Sequence, residues 1–274
     1  MANHEVEIGV LGHSGLIGSS LMKYSPREAM PLNFLDIKSQ TVETLIWSVG
    51  RLKNNANILE AKYEFENISN ELVKLNFKKI FHFVLISSGG TIYGNHSIYP
   101  CNENSKENPL TPYGKLKLKI EKLLLHYQRL YGFKLSIVRL ANVYSIRGSS
   151  VISKLISCVR EQQTFDLKVH LQSRKQYGEV DNYASAIHAL IRQVTSDYDT
   201  RIYNLFSPHV YTLGDIIVKI SSRYGRSIDL QSTQSSLPLQ SMILESIHQE
   251  SLSAMNGTKW CSLDSFLETL STES

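Results

Sequence analysis

Short apolar runs alternate with segments of helical period along the first half of the chain. Val6 to Leu11 precedes Leu16 to Lys23, Thr44 to Val49 precedes Ile58 to Leu75, Ile80 to Ser87 precedes Pro112 to Tyr131, and Leu135 to Leu140 follows. Continuous apolar runs suit strands buried on both faces, and their alternation with helices predicts βαβ units feeding a parallel sheet. The segment from Tyr113 to Tyr131 carries the strongest helix signal. Thr111 suits its N-cap, Pro112 its first position and Gly132 its exit. Past Tyr144 the regularity loosens. The pattern predicts a helix from about Val151 to Glu161, a β-like pair at Phe165 to Leu171 and Gln176 to Val180, a helix from Asn182 to Val194 capped by Asp181, and a strand at Ile202 to Phe206. From Leu213 onward two or three short helices are expected between Ser- and Gln-rich linkers. The fold class is therefore α/β: a doubly wound parallel sheet with a smaller C-terminal lobe over its carboxyl edge, where ligands bind in such folds.

Composition narrows the partners. With 274 residues, 42% hydrophobic and 20% charged, the chain can bury the core of one large domain or one and a half. The net charge of +4 is scattered, without the block of like charges that marks a nucleic-acid arm or a polybasic membrane patch. The apolar runs stop short of the ~18 to 20 residues that span a bilayer. The first of them begins almost at once, without the basic segment and long apolar region of a secretion signal, so a cytoplasmic location is expected. Cys101, Cys158 and Cys261 are widely spaced and lack nearby histidines. Neither a disulfide framework nor a metal site is indicated.

Two motifs bring chemistry. Gly12, Gly15 and Gly18 follow a strand and open a helix, a context in which backbone N–H groups can approach a pyrophosphate at the positive helix end. Tyr113 and Lys117 stand four apart on a predicted helix and so share one face. A nearby ammonium favours a phenolate, which turns a tyrosine into a usable general base beside a bound dinucleotide.

The spacing Gly-x-x-Gly-x-x-Gly resembles that of the extended short-chain dehydrogenase/reductase superfamily, in its NAD-dependent nucleotide-sugar epimerase and dehydratase branch. The resemblance runs through nearly the whole chain. Ser87-Ser-Gly-Gly-Thr-Ile-Tyr-Gly94 is similar to that branch's serine-rich strand end, and Tyr113 to Lys117 to its Tyr-x-x-x-Lys. Arg139-Leu-Ala-Asn142-Val-Tyr144 and Lys175-Gln-Tyr-Gly-Glu-Val-Asp181 resemble two further segments. The resemblance implies a Rossmann-like domain over residues 1–145, with 176–206 returning to it, and a substrate-binding lobe from 146–175 and 207–274. It implies NAD or NADP held by Gly12, Gly15, Leu16, Ile17, Gly18, Asp36 and Gly50 together with Tyr113 and Lys117. Tyr113 becomes the acid/base, and Lys117 the group that tunes it and binds the nicotinamide ribose.

The chain departs from this pattern in places. Between Gly18 and Leu45, where such enzymes usually have two strands and a helix, only 26 residues are present, so the adenosine-binding half is shortened. Asp36 suits either the acid that holds the adenosine ribose diol or the one that meets the adenine amino group, and a loop acid is the plain alternative. NAD and NADP both stay open. Arg51, after Gly50, is either a phosphate contact or a surface residue. Gly89 stands where many relatives carry the catalytic Ser or Thr, so that hydroxyl falls to Ser88 or Thr91. Asn142, Lys175 and Arg174 are the implied contacts to the diphosphate of the substrate, Lys175 replacing an arginine.

The 4,6-dehydratases and decarboxylases of the branch it resembles carry an acid just after this Ser or Thr, and Gly90-Thr91-Ile92 offers none, so the resemblance disfavours dehydration. The leading expectation is an NAD(P)-dependent epimerase of a nucleotide sugar in surface polysaccharide biosynthesis. A 4-keto-sugar reductase using NADPH and a non-catalytic dinucleotide-binding protein are the alternatives. Relatives often pair through helices that here would be Ile58 to Leu75 and Pro112 to Tyr131, so a homodimer is part of the expectation, although core packing explains those apolar faces equally well.

Overall fold

The computed structural model describes residues 5–24, 29–34, 41–52, 56–94, 100–194, 200–232 and 236–270. Asp36 lies outside them. Six parallel strands form the main sheet in the order β2-β1-β3-β4-β5-β9: β1 (Glu5–Leu11), β2 (Ala29–Leu32), β3 (Thr41–Trp47), β4 (Ile80–Ser88), β5 (Lys134–Leu140) and β9 (Thr200–Leu205). The two-residue period of the strands sends Val84, Ile86, Val138 and Leu140 into the core on one face and Phe83, Leu85, Leu135 and Ile137 into the core on the other. The first face is covered by α1 (Leu16–Tyr24), α6 (Val180–Gln193) and α8 (Gln249–Asn256), the second by α2 (Ile58–Val73) and α4 (Pro112–Tyr131). This is the doubly wound, Rossmann-like arrangement that the alternating pattern predicts.

The connection from β1 runs outward to β2, whereas that from β3 runs the other way to β4. The crevice where the winding reverses lies between the carboxyl ends of β1 and β3, directly behind the glycine turn. Among the described residues one four-residue strand, β2, stands between α1 and β3. α4 keeps the ends read from the sequence. Thr111 Oγ1 accepts the Gly114 N–H at 3.0 Å, and Gly132 closes the helix at φ 72°.

A third core gathers Tyr144, Ile152, Leu155, Leu213, Ile216, Leu263 and Phe266, from β6 (Asn142–Tyr144), α5 (Val151–Glu161), α7 (Leu213–Tyr224) and α9 (Leu263–Glu268). Two expectations need correction here. The segments at 165 and 176 do not pair with each other. A turn at 170–173, closed by Ser173 N–H to the His170 carbonyl at 2.9 Å, carries the chain away. β7 (Phe165–Asp166) therefore pairs with β11 (Leu230–Gln231), and β8 (Arg174–Glu179) pairs with β6 and with β10 (Val210–Thr212). Nor does Asp181 cap α6. The Glu179 side chain does so, accepting the Asp181 N–H at 2.7 Å, because the Asp181 carboxylate is drawn to α1, where it takes hydrogen bonds from Ser20, Lys23 and Tyr24.

Candidate active site

Two openings meet at the carboxyl ends of the central strands and share Ile17 and Tyr113 in their walls. The smaller, about 160 Å³, lies in the crevice between Gly15 at the turn, Ser48 to Gly50 after β3, and Lys117. The larger, about 840 Å³, extends from Ser88 and Thr91 past Asn142 to Lys175 and the start of α5.

The glycine turn fits a backbone-lined phosphate cradle. Gly12 adopts φ 80°, and a Cβ on Gly18 would stand 2.0 Å from the Gly12 carbonyl oxygen, so the helix can start tight against the turn only with glycine there. Leu16 and Ile17 follow at the mouth of the small cavity, and Gly50 faces them across it. Arg51 is exposed, its backbone N–H bonded to Glu64 Oε1 at 2.7 Å.

α4 carries the Tyr113 and Lys117 pair. Tyr113, in its first turn, lines both openings. One turn on, the Lys117 Nζ donates to the Ile86 carbonyl at 3.2 Å, lies 5.8 Å from the Tyr113 ring centroid, and sits 3.8 Å from where a Cβ on Gly50 would be. The ammonium is thus anchored between the end of β4 and the smaller crevice, facing the phenol. Ser88 and Thr91 are brought together: the Thr91 hydroxyl donates to that of Ser88 at 2.9 Å, and both line the cleft with Tyr113. At Gly89, which opens the short helix α3 (Gly89–Ile92), a side chain would press on a neighbouring segment. A Cβ at that position would meet Leu244 Cδ1 at 2.6 Å, because a C-terminal segment crosses here, held by Leu244 N–H to Gln176 Oε1 at 2.8 Å and by Cys101 N–H to the Ile243 carbonyl at 2.8 Å.

Farther along the cleft, Asn142 is fixed by its amide donating to the Gln176 carbonyl at 3.0 Å. The alternation of β8 points Lys175 and Tyr177 into the cleft, whereas Arg174 is exposed and outside the lining. Burial pushes the Lys175 ammonium below the ordinary lysine range. An anion bound beside it would favour the charged form.

Sequence reasoning missed the polar network behind this site. Glu121, two turns from Tyr113 on the same helical face, accepts the Ser87 hydroxyl at 2.5 Å and the Arg139 guanidinium at 2.7 and 3.2 Å. Arg139 is fully buried, reaches Glu107 at 2.8 Å and lies 5.0 Å over the Tyr93 ring. Burial opposes its charge, yet the bonds to Glu121 hold its pKa above the ordinary arginine value. The i, i+4, i+8 spacing of Tyr113, Lys117 and Glu121 was the available signal, since it placed a charge on the face turned to the sheet. Among the described residues no cluster of His, Cys, Asp and Glu could hold a metal ion, and no helix is long and apolar enough to cross a membrane.

A sheet wound in this way, with a glycine turn at its crevice and a Tyr-Lys pair beside a serine-rich strand end, defines an extended short-chain dehydrogenase/reductase. The chain belongs to the NAD dependent epimerase/dehydratase family, whose model matches residues 51–205. It is 39% identical over 70 residues to the UDP-glucose 4-epimerase of Mycolicibacterium smegmatis, a stretch that covers 26% of this chain and 21% of that protein. A Methanocaldococcus jannaschii protein is 42% identical over 81 residues, 30% of this chain and 26% of its own length. The chain thus spans about a quarter of the length of the curated relatives it matches. The fold is similar to that of Thermotoga maritima UDP-glucose 4-epimerase with UDP-glucose, at a TM-score of 0.78, 18% identity and 96% coverage of each chain. It is also similar to RMD from Pseudomonas aeruginosa complexed with NADPH, at 0.78 and 18%, covering 95% of this chain and 96% of that one.

Proposed function

We propose that this chain is an NAD(P)-dependent epimerase of a nucleotide-activated sugar. One observation carries the reading: Tyr113 and Lys117 stand with Ser88 and Thr91 at the junction between a glycine-lined crevice and a cleft large enough for a sugar nucleotide. The Ser88 and Thr91 pair orients a sugar hydroxyl toward Tyr113, and the Tyr113 oxygen takes its proton. Lys117, held in place by the Ile86 carbonyl, stabilises the negative oxygen that Tyr113 must carry before it takes that proton. When bound, the nicotinamide accepts hydride from the same carbon and returns it. Tyr113 then gives the proton back. Asn142 and Lys175 hold the diphosphate end, and the width of the cleft lets the keto-sugar present its other face before hydride returns, which inverts the carbon. Arg174, exposed beyond the lining, is not assigned to this role.

Residues 1–145 and 176–206 hold the dinucleotide in this reading, and 146–175 and 207–274 close over the sugar nucleotide. The UDP-glucose 4-epimerases among the relatives make UDP-hexoses the first substrates to try. Supply of an inverted sugar to surface polysaccharide synthesis, in the cytoplasm and as a homodimer paired through α2 and α4, belongs to the same reading.

The test begins with the dinucleotide released on denaturing freshly purified protein. Retained NAD(H), together with UDP-hexose interconversion that disappears in Tyr113→Phe, supports the epimerase. A reductase of keto-sugars is the second reading, favoured by the fold it shares with a protein that holds NADPH. It gains if no dinucleotide is retained and only NADPH binds. Binding of neither overturns both and leaves a non-catalytic fold.

A further inference from the structure

Glu64 is out of place for a helix that packs on a sheet. It lies among Ala61, Ile68 and Leu72 on the buried side of α2 and is 9% exposed. Core spacing at that position calls for an apolar residue. One carboxylate oxygen is explained: Oε1 accepts the Arg51 N–H at 2.7 Å and so fixes the chain just after Gly50. An amide would serve that purpose equally well, without bringing a charge into the interior.

The same side chain lines the small crevice with Gly50, Tyr113 and Lys117. Among the described residues no cation is paired with it. A carboxylate accepts hydrogen bonds and gives none. It repels phosphate, so whatever meets it must present hydroxyl or amide hydrogens. In a dinucleotide that requirement separates the ribose diols from the pyrophosphate.

We propose that Glu64 is a cofactor-binding residue whose carboxylate accepts hydrogen bonds from the ribose hydroxyls of the dinucleotide's nicotinamide half, on the wall of the crevice that also carries Lys117. The assignment rests on the reading that this crevice holds a dinucleotide. Glu64 and Lys117 then form a pair of opposite charge around one sugar, the carboxylate accepting from the hydroxyls and the ammonium donating to them.

The experiment is a titration of the full-length protein with NADH, followed by ligand fluorescence, for wild type and Glu64→Gln. The amide keeps an oxygen for the Arg51 N–H and loses the charge. The expected result is a Kd raised about ten-fold or more, the size of a lost charge-assisted hydrogen bond, with no fall in the Tm of the cofactor-free protein. An unchanged Kd overturns the proposal and reduces Glu64 to a backbone acceptor. A second measurement needs no variant: NADH lacking a hydroxyl on the nicotinamide ribose should bind the wild type about ten-fold or more weakly than NADH. Equal binding of the two overturns the proposal even if Glu64→Gln fails to fold. If wild type binds neither NADH nor NADPH, the dinucleotide reading itself falls and takes this assignment with it. If wild type binds NADH and only the Glu64 effect is missing, the dinucleotide reading stands alone.

Discussion

The two sides of the sheet's switch point are built to different standards. On the side proposed for the reaction, β4, α4 and β5 are tied by Ser87, Glu121 and Arg139 in a buried network, with Arg139 0% exposed. On the side proposed for adenosine, β1, α1 and β2 end in a four-residue edge strand whose Met30 is 50% exposed. α1 there is held to α6 through Asp181, whose partners Lys23 and Tyr24 are exposed. The family match, starting at Arg51, contains the first side's β4, α4 and β5 and none of the second. Buried ion pairs tolerate little displacement, since removing one partner leaves an uncompensated charge. Exposed pairs are screened and adaptable. Proton and hydride transfer need reacting groups placed within about half an ångström, whereas adenosine contributes binding energy that can be found in many ways. The rigid side is the one where chemistry is proposed.

This contrast can be broken at several points. The largest effect should come from Tyr113→Phe, which removes the proton carrier and is expected to lower turnover roughly 10²- to 10⁴-fold while Tm stays near wild type. A loss of less than ten-fold in an initial-rate assay would move the chemistry elsewhere. Next is Glu121→Ala, which strands Arg139 in the core and should cost about 3 to 5 kcal/mol in urea unfolding. A shift below about 1 kcal/mol would show that the network yields as easily as an exposed pair.

The pH dependence sharpens the same point. His82, on β4, is buried against Ser136 at 2.8 Å, and burial, helped by Lys134, lowers its pKa to about 3. The unfolded chain, with His82 near 6.5, binds the proton first as pH falls, so the stability tied to the neutral ring is present above about pH 6.5 and is lost progressively toward pH 3. Between pH 7 and 5 this amounts to about 2 kcal/mol. The urea midpoint should fall accordingly, and His82→Asn should flatten that share of the slope. An identical slope in the variant would assign the acid sensitivity to other groups. The smallest effect is expected on the adenosine side: Lys23→Ala should change unfolding free energy by less than about 1 kcal/mol. A loss comparable to that of Glu121→Ala would erase the contrast between the two sides.

Much of the framework was legible in the chain itself. The 20-residue α4 was readable at both ends, since Thr111, Pro112 and Gly132 act locally on backbone N–H and C=O groups. The Tyr113 and Lys117 pair followed from helical spacing alone. What escaped involved partners distant in sequence. Asp181 looked like a cap because local chemistry favours it there, yet three groups of α1 outcompete the helix end. The segments at 165 and 176 read as a β-like pair because they are neighbours in sequence, while each finds its partner strand elsewhere. Gly89 looked like a missing hydroxyl. Only the path of the segment around Leu244 shows that a Cβ there would have to displace the Leu244 side chain.

By itself, then, the sequence determined the strand and helix order, the glycine turn and the shared face of Tyr113 and Lys117 on α4, because hydrophobic period, capping and backbone freedom operate over a few residues. The tertiary structure alone decided that Ser88 and Thr91 share a hydrogen bond beside Tyr113, that Lys175 rather than Arg174 enters the cleft, and that Glu64 and Glu121 carry charge into buried positions. Those outcomes depend on which distant segments desolvate one another, and neither the cost of burying a charge nor the partner that offsets it is written in any short stretch of chain.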